Sequence, residues 1–215
     1  FPCPINECFY RKSFILIGSI ENVINGVSQP SLNTTPSSLE IYRGLSESRD
    51  EFVIMEVSSH GIDQHRIDGL PFDYCLFTNL DHEHLDYHSS MENYFQTKMQ
   101  LFLQLKKDGI AIINCDNPWG KRMAESIKNL GKRVVTIGER ESDDVQICYF
   151  DLEKSASFIK TKEDFQTVQT SLRGIHNLSN AIMAYKTAEI IGIDIDCILH
   201  SIREFKGVKG RFEMI

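Results

Sequence analysis

A chain of 215 residues, 41% of them hydrophobic and 25% charged, is long enough to bury one full-sized core and a small appendage. Its formal net charge of −7 argues against broad nucleic-acid binding, so an anionic ligand would have to be met by local Arg, Lys, metal or backbone N–H groups. No apolar run nears the roughly 20 residues needed to span a bilayer, and the opening FPCPINECFYRK lacks the order of a signal peptide, which points to the cytoplasm and to no membrane partner.

In chain order, short apolar runs recur at 13–18, 52–57, 74–80, 110–115 and 134–137, several of them apolar throughout, as strands covered on both faces would be. Helical stretches alternate with them. Residues 37–48 follow a Thr-Pro start, 89–107 carry a periodic apolar stripe, and 117–130 open on Asn-Pro and close at Gly131. This alternation predicts an α/β fold with a doubly wound, mainly parallel sheet and right-handed crossovers. After a charged loop near residue 139, the stretches 145–150 and 165–172 read as antiparallel or edge strands, ahead of a helix at 177–191. Glycine-rich turns from Phe205 onward mark a domain boundary. The six cysteines are scattered, with no C-x-x-C pair, and suit a reducing compartment.

The helix at 89–107 contains an anomaly. Met91, Tyr94, Phe95, Leu101, Phe102 and Leu105 form one apolar face, Ser89 and Glu92 supply an S-x-x-E cap, and Lys98 sits within the stripe. A buried ammonium is unfavourable unless it is paired, neutral or chemically altered; the bland alternative is a lysine at the margin of the stripe with its head in water.

Chemistry-bearing residues collect after the strands, where ligands bind in open α/β sheets. The second run leads into MEVSSHGIDQHR, bringing Glu56, Ser58, Ser59, His60, Gln64 and Arg66 to one strand end. The third leads into TNLDHEHLDYH, with Asn79, His82, Glu83, His84, Asp86 and His88. Glu56 sits inside FVIMEV, where an unpaired carboxylate is unfavourable and a paired or metal-bound one is expected. The histidines have no H-E-x-x-H spacing, and position alone favours none of the three in HEHLDYH as a ligand.

The run EVSSHGIDQHRIDGLPFDYCLFTNLDHEHLDYHSSMENYFQTKMQLF, with LIGSI near residue 16, NTTP at 33–36, NCDNPWG, GIHNLSNA at 174–181 and FKGVKGRFE at 205–213, resembles the central domain of the Mur ligases. The resemblance is strongest to the type that adds the third amino acid to UDP-N-acetylmuramoyl-L-Ala-D-Glu (MurE-type). It implies an ATP-dependent amide ligase with residues 1–206 as the central domain and 207–215 opening a linker to a C-terminal domain. By that resemblance Lys98 is carbamylated and, with Glu56 and His84, holds Mg²⁺ in catalysis. Asn33, Thr34, Thr35, Ser58, Gln64 and Arg66 contact the UDP-muramoyl-dipeptide, Asn177 the adenine of ATP, and Arg211 its ribose or phosphates. Asn177 also reads as a helix N-cap. The expected partners are that UDP substrate, an amino acid such as diaminopimelate or lysine, and N- and C-terminal domains of the same polypeptide.

Two departures stand out. The family's phosphate loop, G-x-x-G-K-[ST], occurs nowhere in the 215 residues, and HEH stands at 82–84 where many relatives have R-D-H or P-E-H. Two other readings therefore stay open: a non-catalytic relative kept as a scaffold or degenerate copy, and a Zn²⁺ hydrolase built on His82, His84, Asp86 and His88.

Overall fold

A computed structural model describes residues 13–82, 85–162 and 164–207 of the protein. The start of the chain, His84, Arg211 and the expected linker from 208 on lie outside the described residues. The chain divides into two compact units. One holds the described residues up to Pro71 together with His82–Gln104, and the other holds Phe72–Asp81 and the described residues from Leu105 onward.

The first unit is built on a four-stranded sheet in the order β3-β2-β1-β4. Strands β1 (Phe14–Ile17) and β4 (Phe52–Met55) run parallel, in a register that sets Ile17 beside Met55. Strands β2 (Glu21–Ile24) and β3 (Val27–Pro30) form a hairpin absent from the sequence-based assignment. Its signal is the dipeptide Asn25-Gly26, whose φ angles of 51° and 74° make the positive-φ turn that matches strand twist. Asn25 is held in the left-handed region by side-chain bonds to a segment distant in sequence. Its Oδ1 accepts from Arg49 N–H and its amide donates to Glu47 O.

Helix α1 (Ser38–Glu47) begins on a reciprocal cap between Ser37 and Glu40. Helices α2 (Ser59–Asp63) and α3 (Leu85–His88) are short, and α4 (Met91–Leu103) is the helix that carries Lys98. Two features of α4 correct the sequence reading. Its N-cap is Ser90, which accepts from Asn93 N–H, while Ser89 turns the chain at φ 63°. Its end comes at Leu103, not 107, because Leu105 is already paired with Phe72 as the first residue of a strand. Nothing local in Lys106, Lys107 and Asp108 announces that pairing. Ile15, Ile41, Ile67, Phe95 and Phe102 are almost fully buried in this unit.

The second unit carries a six-stranded sheet ordered β10-β9-β8-β7-β6-β5. Strands β5 (Phe72–Phe77), β6 (Leu105–Asn114), β7 (Arg133–Gly138) and β8 (Val145–Asp151) are mutually parallel. Strands β9 (Ala156–Lys160) and β10 (Phe165–Gln169) add on antiparallel. The expected parallel α/β order is present. Of the two stretches read as antiparallel or edge strands, 165–172 supplies antiparallel β10, whereas 145–150 lies in β8, which runs parallel to β7 inside the sheet; β9 was not anticipated. Helix α5 (Pro118–Asn129) starts on Asn117, which accepts from Gly120 N–H. Helix α6 (Ile175–Ile191) ends at Gly192 in the left-handed region, and α7 (Ile195–Glu204), also unanticipated, is capped by Asp194. One apolar core including Ile112, Ile137, Ile159, Ile182 and Tyr185 joins sheet and helices.

Candidate functional site

The parallel β1–β4 pair determines where the first unit keeps its polar groups. Because Ile17 is level with Met55, the chain segments leaving both strands emerge side by side at their carboxyl ends. Gly18-Ser19 leaves one strand and Glu56 the other. Ser19 donates from its hydroxyl to Glu56 Oε2 at 2.6 Å and from its backbone N–H to the same oxygen at 3.1 Å. Glu56 is exposed, so its carboxylate is oriented by hydrogen bonds and not by burial as its apolar neighbours suggested. Its strand is at the sheet's edge among the described residues, with Val53 and Ile54 nearly half exposed.

The NTTP segment packs against this corner. Thr34 Oγ1 is 3.1 Å from Ser19 Oγ. Thr35 is completely buried, and its hydroxyl lies 3.1 Å from Glu56 O and 3.2 Å from Ser58 Oγ while accepting Ser58 N–H at 2.9 Å. Its role visible in the fold is to pin two chain segments together. Asn33 is exposed, and its carbonyl accepts from Ser31 Oγ at 2.7 Å.

Ser58 caps α2 by accepting from Gly61 N–H at 3.0 Å. Past the helix, His65 adopts φ 57° and Arg66 N–H returns to Gly61 O at 2.9 Å, the bond pattern of a helix stop with a left-handed residue. This turn sends Arg66 back across the NTTP segment. Its guanidinium donates to Thr35 O at 2.6 Å and, from two nitrogens, to Gln64 Oε1. Ser58, Gln64, Arg66, Thr34 and Thr35 are thus in one connected network with Glu56.

Lys98 reaches the same corner from α4. Its Nζ donates to Val57 O at 3.3 Å and lies 5.9 Å from the centre of the Tyr94 ring. Burial holds its pKa below the ordinary value of 10.5, against the opposing pull of the Glu56 charge. The amine therefore sits in the environment the apolar stripe predicts, not at a wet margin.

The histidine-rich segment behaves differently. His88 is buried and stacks on Tyr94, with ring centres 4.8 Å apart and planes 7° apart. Tyr87 meets its edge and donates to Asp63 at 2.6 Å. His82 and Asp86 are exposed. Among the described residues no three His, Cys, Asp or Glu side chains come together as a metal site. Tyr87 and His88 form an aromatic brace between α2, α3 and α4, and of the residues in the zinc-hydrolase reading His84 lies outside the described residues. Asn177 belongs to the second unit, in the first turn of α6. It does not cap the helix: Gly174 takes that position, and the Asn177 amide donates back to Arg173 O at 2.8 Å.

Ser19 is the site residue that sequence reasoning passed over. Its only signal was its place directly after an apolar run, in LIGS. Among the described residues no helix is long and apolar enough to cross a membrane.

The fold agrees with what comparison of the chain with known proteins finds. Residues 5–188 match the family described as Mur ligase middle domain. The UDP-N-acetylmuramoyl-L-alanyl-D-glutamate–2,6-diaminopimelate ligase of Fusobacterium nucleatum subsp. nucleatum is 39% identical over 202 residues, and that of Caldanaerobacter subterraneus subsp. tengcongensis 35% over 207. Each alignment takes in 93% of this chain and 41% of the relative, so the chain spans well under half the length of these enzymes. A solved diaminopimelate ligase structure superimposes with a TM-score of 0.82 at 26% identity, covering 99% of this chain and 45% of that one. The MurF ligase of Thermotoga maritima in complex with ADP shares the fold at a TM-score of 0.72 and 19% identity, covering 98% of this chain and 46% of that one. The chain belongs to the Mur ligase family and carries its middle domain.

Proposed function

We propose that this chain is the catalytic centre of an ATP-dependent ligase that joins an amino acid to UDP-N-acetylmuramoyl-L-Ala-D-Glu during cytoplasmic synthesis of peptidoglycan precursors. The observation that carries the reading is the meeting of Glu56 and Lys98 at one corner: an oriented carboxylate beside an amine that burial pushes toward its neutral form. A neutral amine is the form that adds carbon dioxide, and the resulting carbamate turns a cation into an oxygen ligand.

The donor chemistry fits Mg²⁺. That ion favours oxygen ligands, takes one or two carboxylates and leaves positions for phosphate oxygens. Glu56 and carbamylated Lys98 would hold it, with His84 completing the set. When bound it would neutralise charge on the transferring phosphoryl group. The other residues bind and orient. Ser58 already accepts from Gly61 N–H, which leaves its own proton for a ligand oxygen. Arg66 directs three donors at the protein and keeps two of the five of a guanidinium for a carboxylate or phosphate. Buried Thr35 acts by holding Ser58 and Arg66 in place. Thr34 and Asn33 line the exposed side of the segment.

In this reading the substrate's D-Glu carboxylate attacks the γ-phosphate of ATP, and ADP leaves. The amine of the incoming amino acid then displaces phosphate from the acyl phosphate. Asn177 and Arg211 would contact the nucleotide. The phosphate loop and the domains that bind uridine and choose the amino acid would come from the rest of the polypeptide.

The test is Lys98→Ala in the full-length protein. Ligation should vanish while the melting curve stays that of wild type, and short-chain carboxylic acids should restore part of the rate. Carbon-13 bicarbonate should give a carbamate resonance in wild type that Lys98→Ala lacks. Ligation that survives in Lys98→Ala, with no response to added acids, would overturn the assignment. Running the wild type with diaminopimelate and with lysine then identifies the added amino acid.

A further inference from the structure

Ser19 touches both halves of the proposed site. Its hydroxyl reaches Glu56 Oε2 at 2.6 Å, its backbone N–H supports the same oxygen, and its Oγ lies 3.1 Å from Thr34 Oγ1. A serine hydroxyl has one proton, and an ionised carboxylate can only accept. With the Ser19 proton directed to Glu56, the contact to Thr34 must be donated by Thr34. The order is then fixed: Thr34 gives to Ser19 and Ser19 gives to Glu56. Thr34, its proton engaged, offers only lone pairs to a ligand. It suits an amide or hydroxyl proton of the substrate and is mismatched to a phosphate or carboxylate oxygen.

We propose that Ser19 is a positioning residue that couples the cation held at Glu56 to the substrate donor received at Thr34. The inference rests on the reading of Glu56 as a cation ligand given above. A cation at Glu56 would fix that carboxylate in place, which holds Ser19 and Thr34 in the accepting order the substrate needs. A substrate donor at Thr34 steadies the chain from the other end. Each ligand meets a chain that the other has already ordered, so each should tighten the other's binding, and by the same factor.

The experiment is calorimetric binding of UDP-N-acetylmuramoyl-L-Ala-D-Glu to the full-length protein, with and without Mg²⁺ and without ATP. It compares wild type, Ser19→Ala and Ser19→Thr. Wild type should bind the substrate at least about fivefold more tightly with Mg²⁺, the lower end of measured coupling between sites. Ser19→Ala should bring that ratio close to one, and Ser19→Thr, which keeps the hydroxyl, should restore it. Should Ser19→Ala fail to fold, Ser19→Val against Ser19→Thr makes the same comparison at constant shape. A ratio unchanged in Ser19→Ala or Ser19→Val, or no Mg²⁺ effect in wild type, overturns the proposal. Glu56→Gln separates the two levels of the argument. If it abolishes Mg²⁺ binding while Ser19 proves silent, the coupling fails and the site reading survives. If Mg²⁺ binding and ligation are unaffected, the site reading itself falls.

Discussion

Gly61→Ala tests whether the Thr35 pin is as tight as its contacts indicate, because two effects of known sign oppose each other there. Gly61 lies in the first turn of α2, and by helix propensity alone alanine should be better by about 1 kcal/mol. The added Cβ, however, would sit 2.7 Å from Thr35 Cβ, 2.8 Å from its Cγ2 and 3.0 Å from its Oγ1. Thr35 is β-branched, wholly buried and tied through its hydroxyl to Ser58 and through its carbonyl to Arg66, so no rotamer change clears the space. Overpacking of this kind destabilises by about 1–3 kcal/mol, and a loosened hydrogen bond adds about 1 kcal/mol. Packing should win, for a net loss of about 1–3 kcal/mol. Urea unfolding of the 215-residue chain, followed by circular dichroism, measures it. Thr35→Ser removes the methyl at 2.8 Å and should recover part of the loss in the double variant. A Gly61→Ala chain as stable as wild type, or more stable, would refute the tight pin and with it the account of how Ser58 and Arg66 are held.

Gly120→Ala should be more severe, since its Cβ would fall 1.8 Å from Asn114 O in the backbone of β6; a loss of about 3 kcal/mol or more in urea unfolding is expected, and a mild effect would show that α5 docks more loosely. Cys75 gives a pH dependence. Burial pushes its thiol up to about 12 from an ordinary 9.0, so the native state keeps a proton that the unfolded chain releases. Its contribution is whole below pH 9 and falls as pH rises toward 12. Wild type should therefore lose about 2 kcal/mol relative to Cys75→Ala between pH 8 and about pH 10.5, and parallel unfolding profiles for the two would count against it. Arg66→Lys replaces a planar fork by a point charge, and on the proposed function it should raise the KM for the UDP substrate about tenfold with little change in kcat; a pure kcat defect would remove Arg66 from substrate binding.

The parallel α/β pattern was legible because buried strands and capped helices write themselves into local apolar runs, and α1 and α5 fall within a residue or two of their predicted limits. What escaped depended on partners distant in sequence. The end of α4 is decided by Leu105 pairing with Phe72, and β9 is a strand because β8 and β10 flank it. In the site, Lys98 was readable as a misplaced charge and lies where that reading required. Glu56 was singled out for burial it does not have; its orientation comes from Ser19, 37 residues away in sequence, which no pattern local to either residue could reveal. The β2–β3 hairpin, by contrast, was announced by Asn25-Gly26 and could have been read.

Among the described residues β4 ends its sheet, and that edge bears on how the isolated chain will behave in a tube. A row of peptide groups flanked by half-exposed Val53 and Ile54 is a template on which another copy can add a strand. Protein concentration, more than temperature, should then limit the shelf life of a sample. A charged side chain at position 53 or 54 would be the natural gatekeeper to introduce before crystallisation or spectroscopy at high concentration.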